Sequence, residues 1–121
     1  MAHHPPTSEA WIIECVQTIR AALPSNALLT MAPQAPYFTN NGNYENGAML
    51  TVHKAVGDLI DWYNIQFYNQ GDSSYDTYDT LFVESNGFFT GSSVSEMVAN
   101  GVEKEKIVVG KPVTQADAAV S

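Results

Sequence analysis

The residues best placed to do chemistry in this chain are Asn64, Gln66 and Tyr68. They alternate with Tyr63, Ile65 and Phe67 inside residues 60–69. That run is rich in β-branched and aromatic residues and is bounded by polar turns, which predicts a strand. Alternation sends Tyr63, Ile65 and Phe67 to one face and Asn64, Gln66 and Tyr68 to the other. In an antiparallel strand such a polar row simply faces water. In a parallel βα array the second face is buried, and a polar row near the strand's C-terminal end is a site.

Other reactive types are scarce. The single cysteine, Cys15, excludes an internal disulfide framework and a multi-cysteine zinc site. Its apolar surroundings predict a buried structural thiol. His3 and His4 stand before Pro5-Pro6 in an irregular leader and do not form a metal site. Asp72, Asp76 and Asp79 fall in a Tyr-Asp loop that predicts a solvated surface, and Glu14 falls on the outer side of its helix. No carboxylate is a persuasive general acid. No cofactor is indicated.

The elements that must position the polar row follow from pattern. Trp11, Ile12, Cys15, Val16, Ile19 and Leu23 recur at helical spacing. They predict a helix over 8–23, stopped by Pro24 and followed by a Ser25-Asn26 turn. Residues 27–32 form a short apolar run that predicts a buried strand. Residues 33–47 are a long loop, of a length that is often functional. Met49, Leu50, Val52, Val56 and Leu59 predict a weaker second helix that ends near Gly57. A second long loop covers 70–91, with a helical turn over 78–82. Ser93-x-x-Glu96 is a capping box for a helix over 94–99, and Gly101 supplies positive φ after it. Residues 107–110 predict a third strand, and the chain frays beyond Pro112. The divisions are a leader over 1–7, a domain over 8–113 and a tail over 114–121.

Helices and strands alternate, so the fold class is α/β with right-handed βαβ units and a parallel sheet of about three strands. With 121 residues the chain forms one domain. Its 45% hydrophobic and 15% charged residues are too apolar for intrinsic disorder. A formal charge of -8 repels phosphate backbones and anionic lipid, so neither nucleic acid nor membrane is an expected partner. The apolar runs are also too short to span a bilayer, and no signal peptide is legible at Met1. Three parallel strands with helices on one side leave the other side bare. That predicts self-association or completion by a further part of a larger α/β structure.

Three segments resemble glycoside hydrolase family 18, the chitinases and endo-β-N-acetylglucosaminidases. They are Leu29-Thr30-Met31-Ala32-Pro33-Gln34-Ala35-Pro36-Tyr37, Asp61-Trp62-Tyr63-Asn64-Ile65-Gln66-Phe67-Tyr68-Asn69-Gln70 and Ile107-Val108-Val109-Gly110-Lys111-Pro112. They look like the fifth, sixth and seventh strands of that family's (β/α)8 TIM barrel, closest to fungal and plant-type members. The resemblance implies a partial barrel and a retaining, substrate-assisted hydrolysis of β-1,4 bonds between N-acetylglucosamine units. In that chemistry a Glu protonates the glycosidic oxygen, and the substrate's acetamido oxygen attacks the anomeric carbon. A Tyr hydroxyl holds the acetamido group in line.

By the same resemblance Tyr68 is that Tyr, and Gln66 hydrogen-bonds the sugar. Asn69 stands where many members carry Asp. Gln34, Tyr37 and Met31 are further expected sugar contacts, with plain core packing the alternative for Met31. Trp62 is either a stacking platform or packing, and its place at the strand's start favours packing. The family's Asp-x-x-Asp-x-Asp-x-Glu signature has no counterpart here, nor does the eighth strand's Trp. Two readings follow. One is a fragment of a secreted, extracellular chitinase-type hydrolase, inactive alone for want of its general acid. The other is a non-catalytic module that binds chitin, N-acetylglucosamine oligosaccharides or a protein.

Overall fold

The computed structural model describes residues 7–71 and 74–118. His3, His4, Asp72 and the last three residues of the tail lie outside them. Helix α1 (Ser8–Ala22) begins where the Thr7 hydroxyl accepts from the Ala10 amide at 3.0 Å, with Glu9 in the first turn and Arg20 in the last. Strand β1 (Thr30–Met31), helix α2 (Ala48–Val56), strand β2 (Trp62–Gln66), helix α3 (Val94–Ala99) and strand β3 (Ile107–Gly110) follow. The sheet is parallel throughout, in the order β1-β2-β3. The α/β class and the alternation of helices with about three strands agree with the sequence.

Register explains the strand lengths. Leu29 donates its amide to Asp61 Oδ2 at 2.7 Å, and Asp61 returns its own amide to the Leu29 carbonyl at 2.8 Å. Pairing therefore starts at Leu29, not at Ala27. The segment before it stays out of the sheet because Arg20 holds the Pro24 and Ala27 carbonyls at 2.6 and 2.9 Å. At the other end β2 stops at Gln66, opposite Gly110. Beyond that point Lys111 Nζ, in place of a strand amide, takes the Phe67 carbonyl at 2.9 Å.

The core lies on one side of the sheet. Tyr63, Ile65 and Phe67 are fully buried there with Phe38, Val52, Val56 and Met97. Asn64 is exposed and Gln66 half-buried on the opposite side, as the alternation predicts. Helix α1 packs on α2, and this covers only part of its apolar stripe. Val16 is buried and Ile12 and Ile13 touch the core, while Trp11, Ile19 and Leu23 face outward and Cys15 is half-buried. The expected fully buried thiol is corrected accordingly.

The later segments follow their local signals. A short π-turn covers Asp79–Val83 in place of the turn expected over 78–82. The Ser93/Glu96 capping box is complete, and Gly101 has φ +106°. The tail is not frayed throughout, since Thr114 and Asp117 cap a 3₁₀ turn over Gln115–Asp117.

Two predictions follow. A Cβ on Gly110 would sit 2.8 Å from the Ile65 carbonyl oxygen. Gly110→Ala forces β2 and β3 apart and should lower stability by about 1–3 kcal/mol, read as a drop in melting temperature. The sheet's second side, the outward apolar stripe of α1, with Trp11 60% exposed, and Leu28, 65% exposed before β1, should drive self-association. Sedimentation should show species larger than 13.2 kDa; a monodisperse monomer with one cooperative melt contradicts this.

Candidate functional site

The uncovered side of the sheet carries the polar row. Asn64, Gln66 and, one alternation further, half-buried Tyr68 share it. Register adds Thr30 beside Trp62, Val108 beside Asn64 and Gly110 beside Gln66. Gln34 joins through an isolated parallel bridge to Gln66. Gln66 itself is fixed, because its Nε2 donates to the Ala32 carbonyl at 2.5 Å and its amide to the Pro33 carbonyl at 2.9 Å. Trp62 is half-buried at the start of β2, on the same side.

The remaining expected contacts are placed differently. Asn69 leaves the strand with φ +66°, a left-handed backbone that asparagine tolerates. Tyr37 stands off the sheet on a 3₁₀ turn (Ala35–Phe38), its ring 5.2 Å from that of Tyr44. Met31 takes the alternative already named for it, core packing. It pairs in register with Tyr63, so it points to the helix-covered side and packs against the core. Its neighbours Thr30 and Ala32 take the uncovered side instead, which follows from strict alternation.

A hydrogen-bonded scaffold holds the loop after β2 over the strand end. Lys111 Nζ joins the Phe67 carbonyl to the Tyr75 carbonyl, 3.2 Å away on the loop. Desolvation lowers the Lys111 pKa, against the opposing pull of Asp76. Tyr75 meets Phe67 edge-on at 5.1 Å, and its hydroxyl donates at 2.5 Å to Ser92 Oγ, which donates onward to the Phe89 carbonyl. Burial pushes Tyr75 up to about 12. Gln70 is buried, with Nε2 on the Gln66 carbonyl at 3.1 Å, while its Oε1 has no partner among the described residues.

Glu96 anchors the far end of the same loop. Its Oε1 accepts from the Ser85 amide at 2.7 Å, the Ser85 hydroxyl at 3.0 Å and the Ser93 amide at 3.2 Å. Partial burial pushes this carboxyl up, but hydrogen bonds from Ser85 and Ser93 outweigh it and the net shift is downward. The capping box was legible in sequence. Its reach to Ser85 was not, because that contact spans 11 positions of irregular loop.

A second cluster, unread in the sequence, lies on the helix-covered side. Buried Tyr63 places its hydroxyl 2.6 Å from His53 Nδ1, and His53 Nε2 lies 2.7 Å from Glu103 Oε2. Desolvation raises the Tyr63 pKa, and the Glu103 charge adds to it. The phenol therefore stays protonated and donates, which leaves Nε2–H to donate to Glu103. Gly57 leaves room for the ring, since a Cβ there would lie 2.5 Å from His53 Nδ1. The cluster joins α2, β2 and the entry to β3, at the N-terminal end of the strands. Conservative packing and polar closure are its work. Among the described residues no group of three or more His, Cys, Asp or Glu is arranged to hold a metal ion.

The chain is similar to a GH18 chitinase. That enzyme, from Pseudoalteromonas aurantia, shares 32% identity over 93% of this chain, with a TM-score of 0.69. The present chain spans 37% of its length. No protein-family model and no curated protein matches the chain. The likeness supports the relation to glycoside hydrolase family 18, and the three parallel strands with their helices are a portion of a (β/α)8 barrel. In such a barrel the C-terminal ends of the strands carry chemistry and the N-terminal ends stability. Tyr68 and the Lys111 scaffold lie at the former, and Tyr63-His53-Glu103 at the latter.

The lower cluster makes a pH prediction. Glu103 is held below the ordinary carboxylate value, first by a backbone amide hydrogen bond, then by His53 and nearby Lys106. A depressed folded-state pKa stabilises above the unfolded value and loses that stabilisation as pH falls through the folded value. The melting-temperature gap between wild type and Glu103→Gln should be open at about pH 6 and close by about pH 3. Tyr63→Phe, which leaves His53 Nδ1 without its donor, should cost about 1–2 kcal/mol at neutral pH.

Proposed function

We propose that this chain is part of a chitinase-type glycoside hydrolase that cleaves β-1,4 bonds between N-acetylglucosamine units, with retention and with the substrate's acetamido group as nucleophile. The observation that carries this reading is the likeness to the GH18 chitinase across nearly the whole chain; Gln66 and Tyr68 of this chain share the uncovered sheet face. On this reading Tyr68 orients the acetamido carbonyl, and a phenol hydroxyl at that point also offsets developing charge. Gln66, fixed by its two backbone bonds, and Gln34 beside it bind the sugar, with Asn69 at the rim. The parent enzyme is extracellular and of the fungal or plant type, and its ligand is chitin or an N-acetylglucosamine oligosaccharide.

A specific observation also favours a second reading, a non-catalytic binding module. None of the side chains that register places on the uncovered face, Thr30, Ala32, Gln34, Trp62, Asn64, Gln66, Tyr68 and Val108, is a carboxylate. Proton delivery to a leaving oxygen needs an acid group within hydrogen-bond reach. The purified chain should therefore bind a chitooligosaccharide saturably without cleaving it.

The two readings separate on the native protein, captured from its source by its C-terminal sequence. A mass of a full barrel, roughly 250 residues or more, together with chitinase activity supports the hydrolase. A native mass of 13.2 kDa overturns it in favour of the module. Turnover by the pure 121-residue chain would refute the assignment of the acid to another part of the enzyme.

A further inference from the structure

Four Asn-Gly dipeptides occur in the chain, at Asn41, Asn46, Asn86 and Asn100. This pair of residue types carries its own reactivity. Glycine has no side chain to shield its amide, so its nitrogen can reach Cγ of the preceding asparagine and close a succinimide ring. Closure needs a glycine amide that is not already donating and an asparagine side chain free to turn. Hydrogen bonding decides which pairs meet both conditions.

Three of the pairs are locked. Gly47 donates its amide to the Tyr44 carbonyl at 3.0 Å, and Gly101 donates to the Val98 carbonyl at 3.0 Å. Asn100 is held further by its Nδ2, which donates to the Phe38 carbonyl at 3.1 Å. Asn41 has its carboxamide tied from both sides. Its Oδ1 accepts from the Thr39 hydroxyl at 3.1 Å and the Asn43 amide at 3.0 Å, and its Nδ2 donates to the Thr90 carbonyl at 2.8 Å. Asn86 and Gly87 differ. Both are exposed, and among the described residues neither the Asn86 side chain nor the Gly87 amide has a hydrogen-bond partner. Asn86 is extended (φ -127°, ψ 178°) and Gly87 has φ +69°. Even an added Cβ on Gly87 would meet nothing within 4 Å, so the ring has room to close.

We propose that Asn86 is a site of spontaneous deamidation, set apart from the other Asn-Gly pairs by its free hydrogen-bonding groups, and that its conversion loosens the Ser85–Glu96 anchor of the loop after β2. The Gly87 nitrogen, having given its proton to solvent base, bonds to Asn86 Cγ. The Cγ–Nδ2 bond breaks, and Nδ2 takes a proton from water and leaves as ammonia. Water then adds to either carbonyl of the succinimide and cleaves that C–N bond, which leaves aspartate or isoaspartate at position 86. Either product sets a carboxylate next to Ser85, whose amide and hydroxyl both donate to Glu96 Oε1, at 2.7 and 3.0 Å. A like charge beside Glu96 opposes the charged form that those donors hold. Isoaspartate also lengthens the main chain between Ser85 and Phe89, whose carbonyl accepts the Ser85 hydroxyl at 3.1 Å. The chemistry is independent of any saccharide ligand.

The test is ageing of the folded 121-residue chain in mildly alkaline buffer, followed by cleavage after glutamate and mass spectrometry. Cleavage releases residues 85–96 and 97–103, whose sole asparagines are Asn86 and Asn100. Fragmentation locates the converted residue in the longer peptides that hold Asn41 and Asn46. Asn86 should convert at least about tenfold faster than the three locked pairs, because each of those must first open its hydrogen bonds. In the urea-unfolded chain the four pairs should convert at similar rates. A folded chain in which Asn41, Asn46 or Asn100 converts as fast as Asn86, or in which Asn86 stays intact, overturns the assignment. Aged wild type should melt at a lower temperature than fresh protein. Asn86→Gln, whose longer side chain closes a ring far more slowly, should keep its starting melt on ageing. An unchanged melt in converted wild type, or an equal loss in aged Asn86→Gln, overturns the loosening of the Ser85–Glu96 anchor.

Discussion

Side-chain alternation along β2 is the constraint on which the rest of this molecule depends. β2 is hydrogen-bonded on both edges, so its register is fixed from two sides at once. A slip of one residue would exchange Tyr63, Ile65 and Phe67 for Asn64, Gln66 and Tyr68 in the core. Three features oppose that slip. The reciprocal Leu29–Asp61 bonds set the start, the Gln34–Gln66 bridge sets the end against β1, and the absence of a Cβ at Gly110 allows contact with the Ile65 carbonyl. The core and the candidate site are two consequences of one register.

Apolar packing fixes the strands, but polar groups fix the loops. The segment after β2 contains few buried apolar residues besides Tyr75, and it is held instead by Lys111, Ser92, Ser85 and Glu96. Hydrogen bonds to charged groups are stronger than neutral ones, which suits a segment that cannot bury a core of its own. The two ends of the strands are therefore built differently. At the N-terminal end, the Tyr63 hydroxyl is bonded by His53, whose other ring nitrogen is held by Glu103. At the C-terminal end, Gln66 spends its amide nitrogen on the backbone, and Tyr68 remains half-exposed beside it.

What was legible in the sequence was whatever local signals encode. The Ser93/Glu96 box, the Gly101 turn, α1 and β3 are set by residues within a few positions of one another, and each appears where the pattern placed it. The parity of 63–68 was legible for the same reason. Contacts that cross the chain were not. His53 lies 50 positions from Glu103, and Lys111 lies 44 from Phe67. Met31 shows the limit from another side. Its type suits either face, and only pairing with Tyr63 decides between them. The burial expected for Cys15 failed because Trp11, Ile19 and Leu23 of its helix stripe face outward.

The uncovered face defines a division of labour. Amide and phenol side chains orient a neutral polar ligand, but at neutral pH they do not supply a proton as a carboxylic acid can, since an ordinary phenol loses its proton only near pH 10. On the proposed hydrolase reading, orientation and proton transfer come from different strands. That separation suits a barrel, whose reacting groups are drawn from the ends of several strands and converge only when the sheet closes. It also explains why the polar row can persist without destabilising this portion. Open to solvent, Asn64 and Tyr68 satisfy themselves with water, and only closure would oblige them to find a ligand or a protein partner.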